Sequence, residues 1–189
     1  MRWRRSQKPK RSIVFMTFFG EELGRLGSRH YTRHPLVPLA KTVAQVNLEH
    51  LGRTDGESVP RVGQAKVLGF DYSSATDVLR DSAEEGGVQL VDDKEHTATY
   101  YGATDCQSLA EVGVPAVTLS IGMAPDYHLP SDEWQKQDYD NMAKLARAAA
   151  LGVYRLAESA EAPQWNSQNP QTERYRRARE EAAGGPVVK

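Results

Sequence analysis

A chain of 189 residues with 39% hydrophobic and 26% charged residues has the length and composition of one soluble globular domain with a core of its own. Its formal charge of −1 argues against nucleic acid as the main partner, although six of the first eleven residues are Lys or Arg. The apolar run behind that basic patch is too short for a signal peptide or a membrane span, and the single Cys106 excludes an internal disulfide and a thiolate zinc cluster.

In chain order, residues 1–10 read as an exposed basic lead-in, 11–160 as the folded domain and 161–189 as a polar tail, partly helical or disordered. The run Arg11 to Phe19 reads as a strand buried on both faces that ends at Gly20-Glu21-Glu22. Leu23, Leu26 and Tyr31 with the small residues Gly24, Gly27 and Ser28 predict a helix packed closely on a sheet, stopped by His34-Pro35. Thr42 to Leu48 reads as a second buried strand ending in Glu49, Arg61 to Phe70 as a third, and Val88 to Val91 as a fourth. A helix over Asp77 to Glu85, stopped by Gly86-Gly87, separates the third strand from the fourth. Residues 92–103 read as a loop, Asp105 to Val112 as a helix and Val114 to Ile121 as a fifth strand. Met142, Leu145, Ala149, Val153 and Leu156 then mark a long closing helix, and past Pro163 the core signals stop.

Alternating helices and continuously apolar strands predict an α/β layered domain whose sheet is covered on both faces. Ligands of such folds bind beyond the strand ends. Three of those ends carry Glu21 with Glu22, Glu49, and the loop Asp126 to Asp132 with His128 at its centre. Carboxylates with an imidazole are a mixed oxygen and nitrogen donor set of the kind zinc accepts. The plainer reading also stands at this point: Glu21 and Glu22 start a solvated helix, where acids suit the positive end of the dipole.

The sequence of three stretches resembles a known family. Phe18-Phe19-Gly20-Glu21-Glu22 with Leu26-Gly27-Ser28, then Asn47-Leu48-Glu49-His50-Leu51-Gly52-Arg53, then Asp126-Tyr127-His128-Leu129-Pro130-Ser131-Asp132 look like the GEE, NLDMIGR and final-histidine stretches of the M28 zinc aminopeptidases. Together they cover residues 11–158, and three motifs in one order are specific as a set. The resemblance implies a three-layer α/β/α fold with a mostly parallel mixed sheet, of the zinc-exopeptidase type. It implies a metallo-exopeptidase that removes residues from peptides with a free N-terminus, using zinc, two ions in the family pattern. Glu21 would then be the general base, Glu22 and His128 ligands of one zinc, Glu49 a ligand of the other in place of an aspartate, and Tyr127 a hydrogen-bond donor to the tetrahedral intermediate. Asp105 corresponds to the family's Ser-Asp-His stretch, here Thr104-Asp105-Cys106, and reads either as a substrate-side acid or as a helix N-terminal acid.

One family motif has no counterpart. An HxD sequence upstream of the first strand supplies the bridging aspartate and one histidine in the family, whereas the first ten residues here hold neither His nor Asp. The resemblance therefore implies the C-terminal part of a longer catalytic domain, N-terminally truncated, with one zinc or none. His30 and His34, four apart on a predicted helix, and His50, expected on the strand face opposite Glu49, are given no ligand role. His96 is expected in a loop near the site. A truncated sheet would expose an edge, so self-association through that edge is expected. A non-catalytic remnant or binding module on the same fold is the alternative function, and a single-zinc cyclase acting on N-terminal glutamine is the less favoured third.

Overall fold

The computed structural model describes residues 8–55 and 62–184. Arg61, expected to open the third strand, and Arg2, Arg4 and Arg5 of the basic patch lie outside the described residues.

Four strands form one mixed, mostly parallel sheet: β1 (Gln45–Leu48), β2 (Gln64–Leu68), β3 (Gln89–Asp92) and β4 (Ala116–Ser120), in the order β1-β4-β2-β3. β1 runs parallel to β4 and β2 parallel to β3, while β2 and β4 are antiparallel. Successive side chains alternate between the two faces, so two separate cores form. On one face Ala65, Val67, Val117 and Leu119 pack against α2 (Ala75–Glu85) and α5 (Tyr139–Glu158). On the other, Leu68 and Ala116 pack against α4 (Cys106–Glu111), Tyr72 and Tyr101. Helices thus cover both faces of the sheet, the layered arrangement that the apolar strands predict. Within α5, Leu145, Ala149 and Leu156 of the anticipated stripe are buried, and the Asp138 carboxylate caps the helix by accepting from Asn141 N–H at 2.9 Å.

Three expectations are corrected. Residues 11–19 form no strand and are largely exposed, with Phe15 at 90% and Phe19 at 75%. No strand among the described residues lies alongside to complete a ladder. The segment is instead tied at its ends, where Arg11 N–H donates to Ala157 O and Phe19 O accepts from Gly27 N–H. The expected 92–103 loop contains α3 (Lys94–Tyr100), whose N-cap Asp93 accepts from His96 N–H at 3.0 Å. Lacking an apolar period, this helix leaves only its cap as a sequence signal.

Core signals also continue past Pro163. Trp165, Thr172 and Tyr175 are buried, and α6 (Glu173–Ala182) packs on α4. Trp165 Nε1–H donates to Gly113 O at 3.0 Å, and its ring stacks on Tyr175 at 5.0 Å. Gly113 permits the close approach of α6: its φ is +84°, and a Cβ there would lie 2.4 Å from Arg179 N.

Candidate active site

The acidic pair sits in a turn. Leu26 N–H donates to Gly20 O and Arg25 N–H to Glu21 O, and α1 (Leu26–Arg33) starts only after Glu22. Gly27 lets the turn fold back on Phe19, since a Cβ at that position would lie 2.6 Å from Phe19 N. Acids starting the helix itself are therefore not what this geometry contains. The other two contributors leave the sheet side by side: Glu49 follows β1 and the histidine loop follows β4, and those strands are neighbours.

A cavity of about 120 Å³ opens at this end of the sheet. Glu21, Glu22, Glu49 and Tyr127 line it, together with His50, Lys66, His96, Tyr100 and Ser120. His128 Nε2 lies 2.8 Å from Glu22 Oε1, and its ring stacks on Tyr127 at 3.8 Å. Asn47 Nδ2–H donates to Glu49 Oε2 at 3.0 Å. Asp105 precedes α4 without capping it; it is buried, and its Oδ1 has no hydrogen-bond partner among the described residues.

The electrostatics follow from packing carboxylates together in a partly dry space. Burial, then the charges of Glu21, Asp105 and Glu22, push the Glu49 carboxyl up to about 7 against the donation from Asn47. Glu21 is raised by burial first, then by Glu22 and Asp105. Tyr127 is raised by burial and the neighbouring acids, which keeps its hydroxyl protonated as a donor at neutral pH. The Cys106 thiol is fully buried and pushed up to about 12, chiefly by that burial, so it is inert.

His50 departs from its expected position. Strand alternation carries through Glu49 and stops at His50, whose φ of 52° brings it to the same cavity as Glu49 and edge-on to Tyr127 at 5.3 Å. His128 is likewise left-handed, with φ 60°. Two non-glycine residues in that region beside one cavity are the kind of backbone outlier that clusters at functional sites. His96 lines the cavity from α3 rather than from a loop.

Arg53 is the residue that holds the site together, and the sequence reading gave it no role. Its side chain is 6% exposed and pairs with Asp55 at 2.6 Å, Asp126 at 2.7 Å and Asp132 at 2.9 Å. The last two belong to the histidine loop, so Arg53 clamps that loop to the end of β1. Its presence at the end of Asn47-Leu48-Glu49-His50-Leu51-Gly52-Arg53 was the available signal.

For zinc the donors are right in kind and short in number. A catalytic zinc takes three protein ligands. Glu22 and His128 form a pair, Glu49 stands apart, and no group of three His, Cys, Asp or Glu among the described residues is gathered to hold a metal ion. The partnerless oxygen of Asp105 beside this acidic cluster marks a place that favours a cation.

Solved structures share this fold. The chain superposes with an aminopeptidase from Aneurinibacillus sp. strain AM-1 at TM-score 0.59 and 22% identity, over 77% of this chain and 33% of that one. The zinc aminopeptidase BSAP from Bacillus subtilis matches at TM-score 0.60 and 22% identity, over 76% and 36% of the two chains. The LapA aminopeptidase of Legionella pneumophila matches at 0.59 and 23%, over 76% and 38%. The chain thus spans about a third of the length of these proteins. Among curated proteins none matches. The profile of peptidase family M28 matches residues 2–153, and the chain belongs to that family.

Proposed function

We propose that this chain carries the base and part of the metal-binding half of an M28-type aminopeptidase site, acting on peptides with a free N-terminus. The observation that supports it is the convergence of Glu21, Glu22, Glu49 and Tyr127 on one cavity, with His128 hydrogen-bonded to Glu22. Glu22 and His128 would hold one zinc and Glu49 would contribute to a second. When bound, zinc polarises a scissile carbonyl and makes water a better nucleophile.

The chain's own residues account for the remaining steps. Glu21, whose pKa is raised, takes the proton of the attacking water and delivers it to the departing amine. Tyr127, a neutral donor, offers its hydroxyl to the oxygen on which charge develops. The excess of carboxylates draws the substrate's ammonium into the cavity. Asp105 belongs to that negative field, since it raises both Glu21 and Glu49.

A second reading, a non-catalytic binding module, is favoured by one observation, the absence of a three-donor cluster among the described residues. Hydrolysis of leucyl anilide with added zinc separates the two. The exopeptidase reading expects activity that falls about 10²–10⁴-fold in Glu21→Gln, with zinc content by native mass spectrometry unchanged. Folded protein that takes up no zinc and releases no aniline favours the binding module.

A further inference from the structure

The cavity has a second chemical end that the proposed hydrolysis does not use. Opposite the carboxylates, Lys66 Nζ lies 2.8 Å from Asp93 Oδ2, and His96 Nδ1 lies 2.9 Å from the same oxygen. Lys66 and His96 both line the cavity, while Asp93 does not. We infer that this end recognises an acidic side chain on the substrate's N-terminal residue, with the Lys66 ammonium facing its carboxylate and the Glu21, Glu22 and Glu49 end taking its amine. This inference rests on the exopeptidase reading.

The sheet register sets the spacing. Lys66 of β2 stands opposite Ser120 of β4, and Glu49 continues the β1 register that pairs Leu48 with Leu119, one step before Ser120. Glu49, Ser120 and Lys66 therefore form a row across three adjacent strands, and all three line the cavity. Strands spaced about 4.8 Å apart put the outer two about 10 Å apart at the backbone. The α-amine and side-chain carboxylate of a glutamyl residue lie roughly 5 Å apart by standard bond lengths. The side chains of Glu49 and Lys66 reach inward over the remainder.

The charge arrangement supports the same assignment. Asp93 is engaged within the protein by three donors, Lys66 Nζ, His96 Nδ1 and His96 N–H. An ammonium carries three donors, and Asp93 takes one from Lys66. Lys66 interrupts an otherwise apolar stretch, Ala65-Lys66-Val67-Leu68, and its side chain is only 14% exposed. A mostly buried ion pair contributes little net stability compared with apolar residues of similar size, so stability alone does not account for a lysine there.

Isothermal titration of the full chain, with and without added zinc, tests this using the α-amides of glutamic acid, glutamine and leucine. Glutamic acid amide and glutamine amide have nearly the same shape and differ in charge. The expected result is about tenfold tighter binding of glutamic acid amide, the size of one charge-assisted hydrogen bond. Lys66→Met removes that ratio without weakening leucine amide, and Lys66→Arg keeps it. Equal affinity for glutamic acid and glutamine amides in the unaltered protein overturns the inference, and that comparison decides even if Lys66→Met does not fold. An equal loss for all three amides in a folded Lys66→Met overturns it too, by showing a structural role only. If all three amides bind equally, the exopeptidase reading survives the failure; if folded protein binds none, both fall.

Discussion

Arg53 does for the site what backbone pairing does for the strands. One guanidinium serves three carboxylates, two of them in the loop that carries His128. Bonds from Ser131, Arg53 and Lys136 hold the Asp126 carboxyl below the usual carboxylate range. A depressed carboxylate stabilises the fold above its unfolded pKa and is lost only as pH falls through the folded value, so this clamp persists under mild acid. Arg53→Lys keeps the charge but not the fork that spans several carboxylates. That variant is expected to unfold at lower temperature and to show faster amide exchange over residues 124–132, read by hydrogen-exchange mass spectrometry. Glu49 works in the opposite direction. Its pKa rises from 4.5 unfolded to about 7 folded, so in metal-free protein its contribution is fully present below 4.5 and declines as pH rises through 7. Glu49→Gln should flatten the dependence of unfolding temperature on pH across that window. An unchanged slope in the variant would remove Glu49 from the set of groups that burial perturbs.

At the level of elements, the C-terminal segment shows how a polar sequence can still carry core residues. Residues 164–182 are mostly charged or amide-bearing, yet Trp165 and Tyr175 insert between α4 and the aromatic pair Tyr72 and Tyr101. Truncating a buried aromatic removes both transfer free energy and packing. Trp165→Ala is expected to lower stability by about 3–5 kcal/mol in urea unfolding. A loss under about 1 kcal/mol would mean that the segment rests on the body without contributing to it. The helix α3 makes a related point about capping: its seven residues carry no apolar stripe, and Asp93 starts it. The same Asp93 anchors Lys66, so the element and the polar end of the cavity share one carboxylate.

Among the described residues the sheet ends at β1 on one side and at β3 on the other. β1 is an edge strand: Gln45 and Glu49 direct their N–H groups to β4, and alternation turns those of Val46 and Leu48 outward. Phe15, Phe19, Leu23 and Leu36 are exposed, and so is Leu48 on β1 itself. An unpaired edge and exposed apolar residues together favour association. Sedimentation velocity is expected to show a concentration-dependent rise in mass, reduced in the double variant Phe15→Lys, Leu48→Lys. A monomer that holds over a hundredfold range of concentration contradicts this. No helix among the described residues is long and apolar enough to cross a membrane.

The layered α/β class was legible without coordinates, and so were some of the side chains that share the cavity, because both are carried by local patterns. Apolar runs announce strands buried by helices on each side, and Glu21, Glu22, Glu49 and Tyr127, which line the cavity, sit in short motifs beside apolar runs, as does His128, which pairs with Glu22. The failures share a cause. Residues 11–19 have the composition of a buried strand, but a strand exists only where another lies beside it, and none does among the described residues. His50 was placed by an alternation that stops one residue after β1 ends, where the backbone turns left-handed. Arg53 and Lys66 act through Asp132, Asp126 and Asp93, which lie 79, 73 and 27 positions away, and only the fold brings those together. The sequence by itself determined the family motifs and the class of scaffold. The tertiary structure decided which charges meet, because an ion pair or a shared cavity depends on distance in space, which spacing along the chain does not encode.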